Sequence, residues 1–141
     1  MADYDQLSSG FVMPGNTGDA HKATVLYNAG TVPTGGLAAT KTTRVLRVPK
    51  GFVCYGLRFR IGDADSDGTP AVVFDLGDAG DVDRLLAAST LAQAGGETTS
   101  LADAGFGYEF TADTDIIITC STASDVAVAA AFKIALFGRI K

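Results

Sequence analysis

The chain has 141 residues, of which 47% are hydrophobic and 19% charged, and its formal net charge is −5. A single domain of this size buries enough surface to fold without a metal or a disulfide. The acidic balance excludes the clustered Lys and Arg side chains of a nucleic-acid-binding surface, so we expect no nucleic acid among its partners.

An N-terminal arm is predicted over residues 1–20, ahead of one β-sandwich domain over residues 21–141. The arm is rich in Gly, Ser, Asp and Pro, which leaves no room for a regular element, and its apolar residues able to dock are Phe11, Val12 and Met13. Such an arm is either frayed or lies on a neighbouring molecule, and the sequence favours neither alternative. It also lacks the basic and apolar regions of a signal peptide.

Strands are predicted where apolar and polar residues alternate, because successive side chains of a strand point to opposite faces. The clearest is 52–61, which follows a Pro/Gly turn and has an apolar face made of Val53, Tyr55, Leu57, Phe59 and Ile61. Aspartates and glycine separate it from a strand at 70–76, so we predict that the two form a β-hairpin. Further strands are predicted at 22–28, 42–48, 106–110, 114–121 and 126–140.

One helix is predicted over residues 82–92, where leucines recur at near-helical spacing between an acidic N-cap candidate and a stop at Gly95 and Gly96. The fold class is therefore all-β: an antiparallel, jelly-roll-like β-sandwich with one short helix and an extended N-terminal arm. The longest apolar run, 126–136, is interrupted by Lys133 and too short to cross a bilayer, so no membrane segment is expected.

A candidate calcium site lies in the loop after residue 61, where carboxylates recur at alternate positions, namely Asp63, Asp65 and Asp67. With Gly68 they match the first half of a DxDxDG calcium loop. The second half fails, because position twelve of the loop is Phe74 instead of a bidentate glutamate. The alternative is a solvated hairpin tip, and further ligands would have to come from another loop, such as that of Asp78 and Asp81.

The residues needed for enzymatic chemistry are scarce, so we expect no enzyme and no cofactor other than the candidate calcium. The single histidine, His21, has no GxSxG nucleophile motif to serve, and no phosphate-binding loop motif occurs. Two glutamates, Glu97 and Glu109, have no evident cleft. The cysteines Cys54 and Cys120 lie outside any CxxC pattern, which favours free thiols, with a disulfide as the alternative.

Two groups of side chains allow a binding interpretation beside a structural one. The aromatic residues Phe106, Tyr108 and Phe110 form either the core face of a strand or a stacking surface for sugars or bases. Five basic residues form either polar strand faces or a patch for an acidic partner; they are Arg44, Arg47, Lys50, Arg58 and Arg60.

Three successive segments within residues 48–141 carry a resemblance to a known family. They are VPKGFVCYGLRFRIGD, then VVFDLGDAGDVDRLLAASTLAQAG with its GD-x-x-D-x-D-R loop, and finally GYEFTADTDIIITCSTAS with the closing AVAAAFKIALFGRIK. In these segments the chain resembles small virion structural proteins of tailed bacteriophages, in particular those of the capsid decoration or cement type.

The resemblance implies a protein without catalytic chemistry, bound to the major capsid protein on the exterior of the virion and assembled in the host cytoplasm. It also implies a homo-oligomer, with a trimer favoured, and an N-terminal arm that contacts the capsid. No residue-level site is carried over. The alternative is a tail or fibre component that binds a host-surface glycan, which requires an exposed aromatic site.

Overall fold

The computed structural model describes residues 23–38 and 40–141, so the predicted arm over 1–20 and His21 lie outside the described residues. The described chain forms eight strands and one three-residue 3₁₀ segment, Leu91–Gln93. The strands are β1 Ala23–Val32, β2 Thr42–Val48, β3 Phe52–Ile61, β4 Val73–Gly77, β5 Leu86–Ser89, β6 Gly96–Thr98, β7 Thr114–Thr122 and β8 Ala130–Ile140.

The strands form two four-stranded sheets, in the order β1-β8-β3-β6 in the first sheet and β2-β7-β4-β5 in the second. All strand pairs are antiparallel. The chain passes from one sheet to the other at every connection except that between β4 and β5. Two sheets of four with this crossing pattern form a jelly roll, so the predicted all-β, jelly-roll-like sandwich is confirmed.

The core lies between the sheets and is built from the inward side chains of β3, β4, β7 and β8. Phe59 of β3 meets Phe74 of β4 across it, with ring centroids 5.9 Å apart. Each such buried side chain stabilises the fold by about 1.5–3 kcal/mol relative to an exposed one. Cys54 and Cys120 are buried free thiols on separate sheets, as favoured from the sequence.

The predicted hairpin of 52–61 and 70–76 is wrong. β3 belongs to the first sheet, where it pairs with β8 and β6, and β4 belongs to the second, where it pairs with β7 and β5. The two strands face each other across the core instead of sharing a ladder. Their apolar faces were correctly expected to line one core, but the aspartate-rich connection crosses from sheet to sheet.

The predicted inward face of β3 is wrong at Val53 and Tyr55, because Phe52 and Cys54 belong to the core instead. The pairing register with β8 advances from Cys54–Gly138 to Gly56–Phe137, so Tyr55 is the extra residue of a β-bulge. The bulge resets the alternation, so that Phe52 and Cys54 point inward before it and Leu57, Phe59 and Ile61 point inward after it. Tyr55 is exposed.

The predicted helix over 82–92 is also wrong. Leu85 donates its N–H to the carbonyl of Leu76 at 2.9 Å, and the chain continues as β5 beside β4. Ala88, with φ of +48°, donates its N–H to the carboxylate of Asp75 at 2.7 Å. The only helical segment near the prediction is Leu91–Gln93, and the described chain contains no helix with the length and hydrophobicity that a membrane span requires.

Other strand bounds also differ from the prediction. β1 is Ala23–Val32 instead of 22–28, and β4 is Val73–Gly77 instead of 70–76. Residues 106–110 form turns with an isolated bridge at Glu109 instead of a strand. The closing strand β8 begins at Ala130, four residues later than predicted, and Val126 ahead of it is exposed. On β8, Ala130, Phe132, Ile134 and Leu136 are buried in the core.

Candidate interaction surface

The outer face of the first sheet is assembled by the pairing register of β1, β8 and β3. Phe137 lies opposite both Val25 and Gly56, and Lys133 lies opposite both Ala29 and Arg60. Between these two rows, Ala135 lies opposite Tyr27 and Arg58. The intervening residues, Leu26, Leu57 and Leu136 among them, point into the protein, so this set faces outward.

Part of this face is apolar and open. The side chains of Val25 and Tyr27 are 56% and 60% exposed, and Phe137 beside them is also exposed. Gly56 leaves room for the ring of Phe137. A Cβ atom added at position 56 would lie 3.4 Å from the Cβ and Cδ2 atoms of Phe137. Neighbouring apolar side chains of this size are unusual on a surface that contacts only water.

The remainder of the face is cationic. Arg58 forms an ion pair with Glu97, whereas Arg60 and Lys133 form no ion pair with any described residue. A depression of about 370 Å³ runs over these side chains and reaches Tyr27 and Phe137. We call the group Val25, Tyr27, Arg58, Arg60, Lys133 and Phe137 the outer patch.

The aromatic residues Phe106, Tyr108 and Phe110 do not form one stacking surface. Phe110 is buried in the core, and Tyr108 is half-buried with its ring edge-on to Phe110 at 4.9 Å between centroids. Phe106 is 65% exposed and lies edge-on to Tyr55, with centroids 5.7 Å apart. The expected triplet is therefore replaced by an exposed pair, Tyr55 and Phe106.

A buried ion pair holds the 105–110 segment to the loop after β4. Arg84 donates from Nε to Asp78 Oδ2 at 2.6 Å and from Nη2 to Oδ1 at 3.3 Å. Its guanidinium also lies 3.7 Å from the centroid of the Tyr108 ring, a cation–π contact. Burial by itself raises the pKa of Asp78, but the bonds from Arg84 and from the N–H groups of Gly80 and Asp81 outweigh burial and hold that pKa below its usual range.

Asp65, the middle residue of the candidate calcium loop, is 1% exposed, so the expectation of a solvated tip is wrong for this residue. Its carboxylate accepts hydrogen bonds from the N–H groups of Asp67, Ala71, Val72, Asp125 and Val126, at 2.9 to 3.4 Å. Burial alone raises the pKa of Asp65, whereas these N–H groups favour the charged form and together lower the pKa to about 2. Asp65 therefore joins its own loop to the 123–128 loop.

The other two aspartates of the loop make local contacts. Asp63 accepts the N–H of Asp65 at 2.9 Å, and Asp67 accepts both the N–H and the hydroxyl of Thr69. Within residues 23–38 and 40–141, no three acidic, histidine or cysteine side chains are grouped so as to hold a metal ion. Calcium binding by Asp63, Asp65 and Asp67 stays a prediction.

Four of the five basic residues noted in the sequence are divided between the two sheets, and the fifth, Lys50, lies in the turn between β2 and β3. Arg44 and Arg47 of β2 both form ion pairs with Asp115 of β7, at 3.2 and 2.7 Å. Arg58 and Arg60 belong to the outer patch on the first sheet. The loose cluster is therefore a polar strand face on one sheet and part of a mixed aromatic and cationic surface on the other, which the sequence did not reveal.

No family model matches the chain, and no curated protein matches it with significance. Solved structures do share its fold. A chain of the cyanophage Pam1 capsid asymmetric unit superposes with a TM-score of 0.74 at 20% identity, with both chains fully covered.

A chain of the Ralstonia phage GP4 capsid gives a TM-score of 0.75 at 21% identity, covering 94% of this chain and 93% of that one. A chain of the acidic stable capsid of Helicobacter pylori bacteriophage KHP30 gives 0.55 at 16% identity, covering 83% and 89%. At these identities the likeness establishes the shared fold.

Proposed function

We propose that the protein is a structural component of a bacteriophage virion, and that it decorates and stabilises the head lattice from the outside. The observation that carries the proposal is the fold match to chains of two phage capsid structures, over 100% and 94% of this chain. On this proposal the partner is the major capsid protein, and the protein acts as a homo-oligomer, with a trimer favoured.

The chemistry of the described residues supports a structural role. The two buried carboxylates, Asp65 and Asp78, are occupied by backbone N–H groups and by Arg84 respectively. Neither is left as a general acid or base facing a cleft. The outer patch and the pair of Tyr55 and Phe106 instead supply exposed apolar area, which suits contact with other protein chains.

The proposal is tested by copy counting on purified particles together with reconstitution. Quantitative mass spectrometry should find hundreds of copies per particle, and purified protein should co-sediment with heads that lack it. Deleting residues 1–20 should leave the fold intact, as judged by circular dichroism, and weaken co-sedimentation. Absence from the particle, or no binding of the parent chain to heads, would refute the proposal.

A second candidate, a tail or fibre component that binds a host-surface glycan, is favoured by one observation. The exposed edge-to-face pair of Tyr55 and Phe106 resembles the aromatic surface on which a sugar ring stacks. This candidate predicts a few copies per particle and binding to host glycans that Phe106→Ala abolishes. Hundreds of copies, with no glycan binding, would exclude it.

A further inference from the structure

The outer patch carries charge and apolar surface that the described chain leaves uncovered. The protein as a whole is acidic, with a net charge of −5, yet Arg60 and Lys133 lie side by side on one face. Glu97 lies opposite Arg60 on β6 but forms its ion pair with Arg58, and neither Arg60 nor Lys133 forms an ion pair with a described residue. Beside them Tyr27 and Phe137 are exposed. The complementary ligand is a peptide that combines carboxylates with a few apolar side chains.

The 22 residues that precede β1 have this composition. They contain three aspartates at positions 3, 5 and 19, and an apolar group of Phe11, Val12 and Met13. They join the sheet at Ala23, which pairs with Arg139 of β8, one row of the sheet away from Val25 and Phe137. Ala23, to which the C-terminal end of the segment is joined, therefore lies beside the apolar half of the outer patch.

The distances permit the segment to cover the patch of its own copy. The row of Ala29 and Lys133 lies six residues along β1 from Ala23, which is about 20 Å at the rise of a β-strand. Twelve residues separate Phe11 from Ala23, and such a length spans up to about 40 Å when extended. This length is sufficient for the apolar group to contact Tyr27 and for Asp3 and Asp5 to contact the cations beyond it.

We propose that residues 1–22 of each copy bind the outer patch of the same copy in the free protein. Phe11, Val12 and Met13 cover Tyr27 and Phe137, and Asp3 and Asp5 lie against Arg60 and Lys133. The inference concerns the isolated chain and does not depend on the proposed virion role.

The test is paramagnetic relaxation in the full chain carrying Ser8→Cys and a nitroxide label. Cys54 and Cys120 are buried, and burial raises the pKa of both thiols, so the introduced cysteine reacts selectively. The parent chain taken through the same labelling gives the background. The amide signals of Tyr27, Lys133 and Phe137 should broaden at least several-fold more than those of β2 and β7 on the opposite sheet.

Charge reversal provides the matched comparison. Arg60→Glu with Lys133→Glu should abolish the broadening, whereas Lys41→Glu with Lys50→Glu, the same charge change at exposed positions elsewhere, should leave it unchanged. Dispersed amide spectra establish that both variants fold. Broadening that survives reversal in the outer patch, or that appears on the opposite sheet or nowhere, would overturn the inference.

A mixing experiment separates binding within one copy from binding between copies. Spin-labelled chain without ¹⁵N and ¹⁵N-labelled chain without the spin label are mixed in denaturant and refolded together, so that any oligomer contains both. An absence of broadening in the mixture supports binding within one copy. Broadening of the outer-patch signals in the mixture would show exchange of the segment between copies and would overturn the inference as stated.

Discussion

Replacing Asp78 with alanine should destabilise the protein more than the loss of any exposed ion pair. The Asp78 carboxylate is 6% exposed and accepts two hydrogen bonds from Arg84, whose side chain is 12% exposed. It also accepts the N–H groups of Gly80 at 2.8 Å and Asp81 at 3.0 Å. Removing it leaves the buried guanidinium and the N–H of Gly80 without this acceptor, whereas the N–H of Asp81 keeps the carbonyl of residue 78 at 3.2 Å.

The magnitude follows from the geometry. Breaking a buried ion pair by removing one partner destabilises a protein by about 3–5 kcal/mol. Asp81 remains 3.7 Å from Arg84 and the Tyr108 ring still lies beside the guanidinium, which places the loss near the lower end, at about 3 kcal/mol. For a chain of 141 residues this corresponds to a fall in Tm of roughly 10–15 °C.

Urea and thermal unfolding of the parent, Asp78→Ala, Arg84→Ala and the double variant measure the effect and its coupling. The double variant should be less destabilised than the two single changes added together, because each single change already removes the pair. The control is Asp115→Ala, which removes the exposed ion pairs with Arg44 and Arg47 and should change Tm little. A loss below 1 kcal/mol for Asp78→Ala, or strict additivity, would refute the reasoning.

Three other substitutions test the remaining features. Asp65→Asn should lower Tm at neutral pH, and the difference in Tm from the parent should shrink between about pH 5 and pH 2. The pKa of Asp65 in the folded state is about 2, below its unfolded value, so its contribution to stability is present above the unfolded pKa and is lost as pH falls. A difference in Tm that does not depend on pH would contradict this. Gly138→Ala should destabilise by about 1–3 kcal/mol or more in urea unfolding, since its Cβ would overlap the carbonyl oxygen of Val53, and unchanged stability would be the contrary result. Phe59→Asp should abolish cooperative unfolding while Tyr55→Asp, on the same strand but exposed at the bulge, should preserve it; a folded Phe59→Asp would show that the assigned faces are wrong.

Local signals were sufficient for the positions of some strands. β2 and β3 match their predicted bounds because Pro49 ends one strand and Gly51, with φ of +90°, supports the turn into the next. The pairing of β3 with β4 was mispredicted because the aspartate-rich connection between them is compatible with a hairpin and with a crossover. The choice depends on β7 and β8, which lie far along the chain.

The candidate surface was harder to predict, because both faces of β1 carry apolar residues. Val25 and Tyr27 face outward while Leu26 faces inward, so alternation alone does not distinguish core from surface there. Asp65 was misplaced for a related reason. An aspartate in a turn is expected to be exposed to solvent. Two of the N–H groups that donate to Asp65, however, belong to Asp125 and Val126, about sixty positions away in the sequence.

The central position of β8 in the first sheet governs the order in which this fold assembles. β8 pairs with β1 on one side and with β3 on the other. Neither ladder can form until β8, which is remote from both partners in sequence, has docked. In such topologies the entropy cost of closing long loops comes before the stabilising contacts form, and the proteins fold on millisecond-to-second timescales. Until β8 docks, β1 lacks this partner and the β8 side of β3 is open, so the nascent sheet exposes edges that invite pairing between chains.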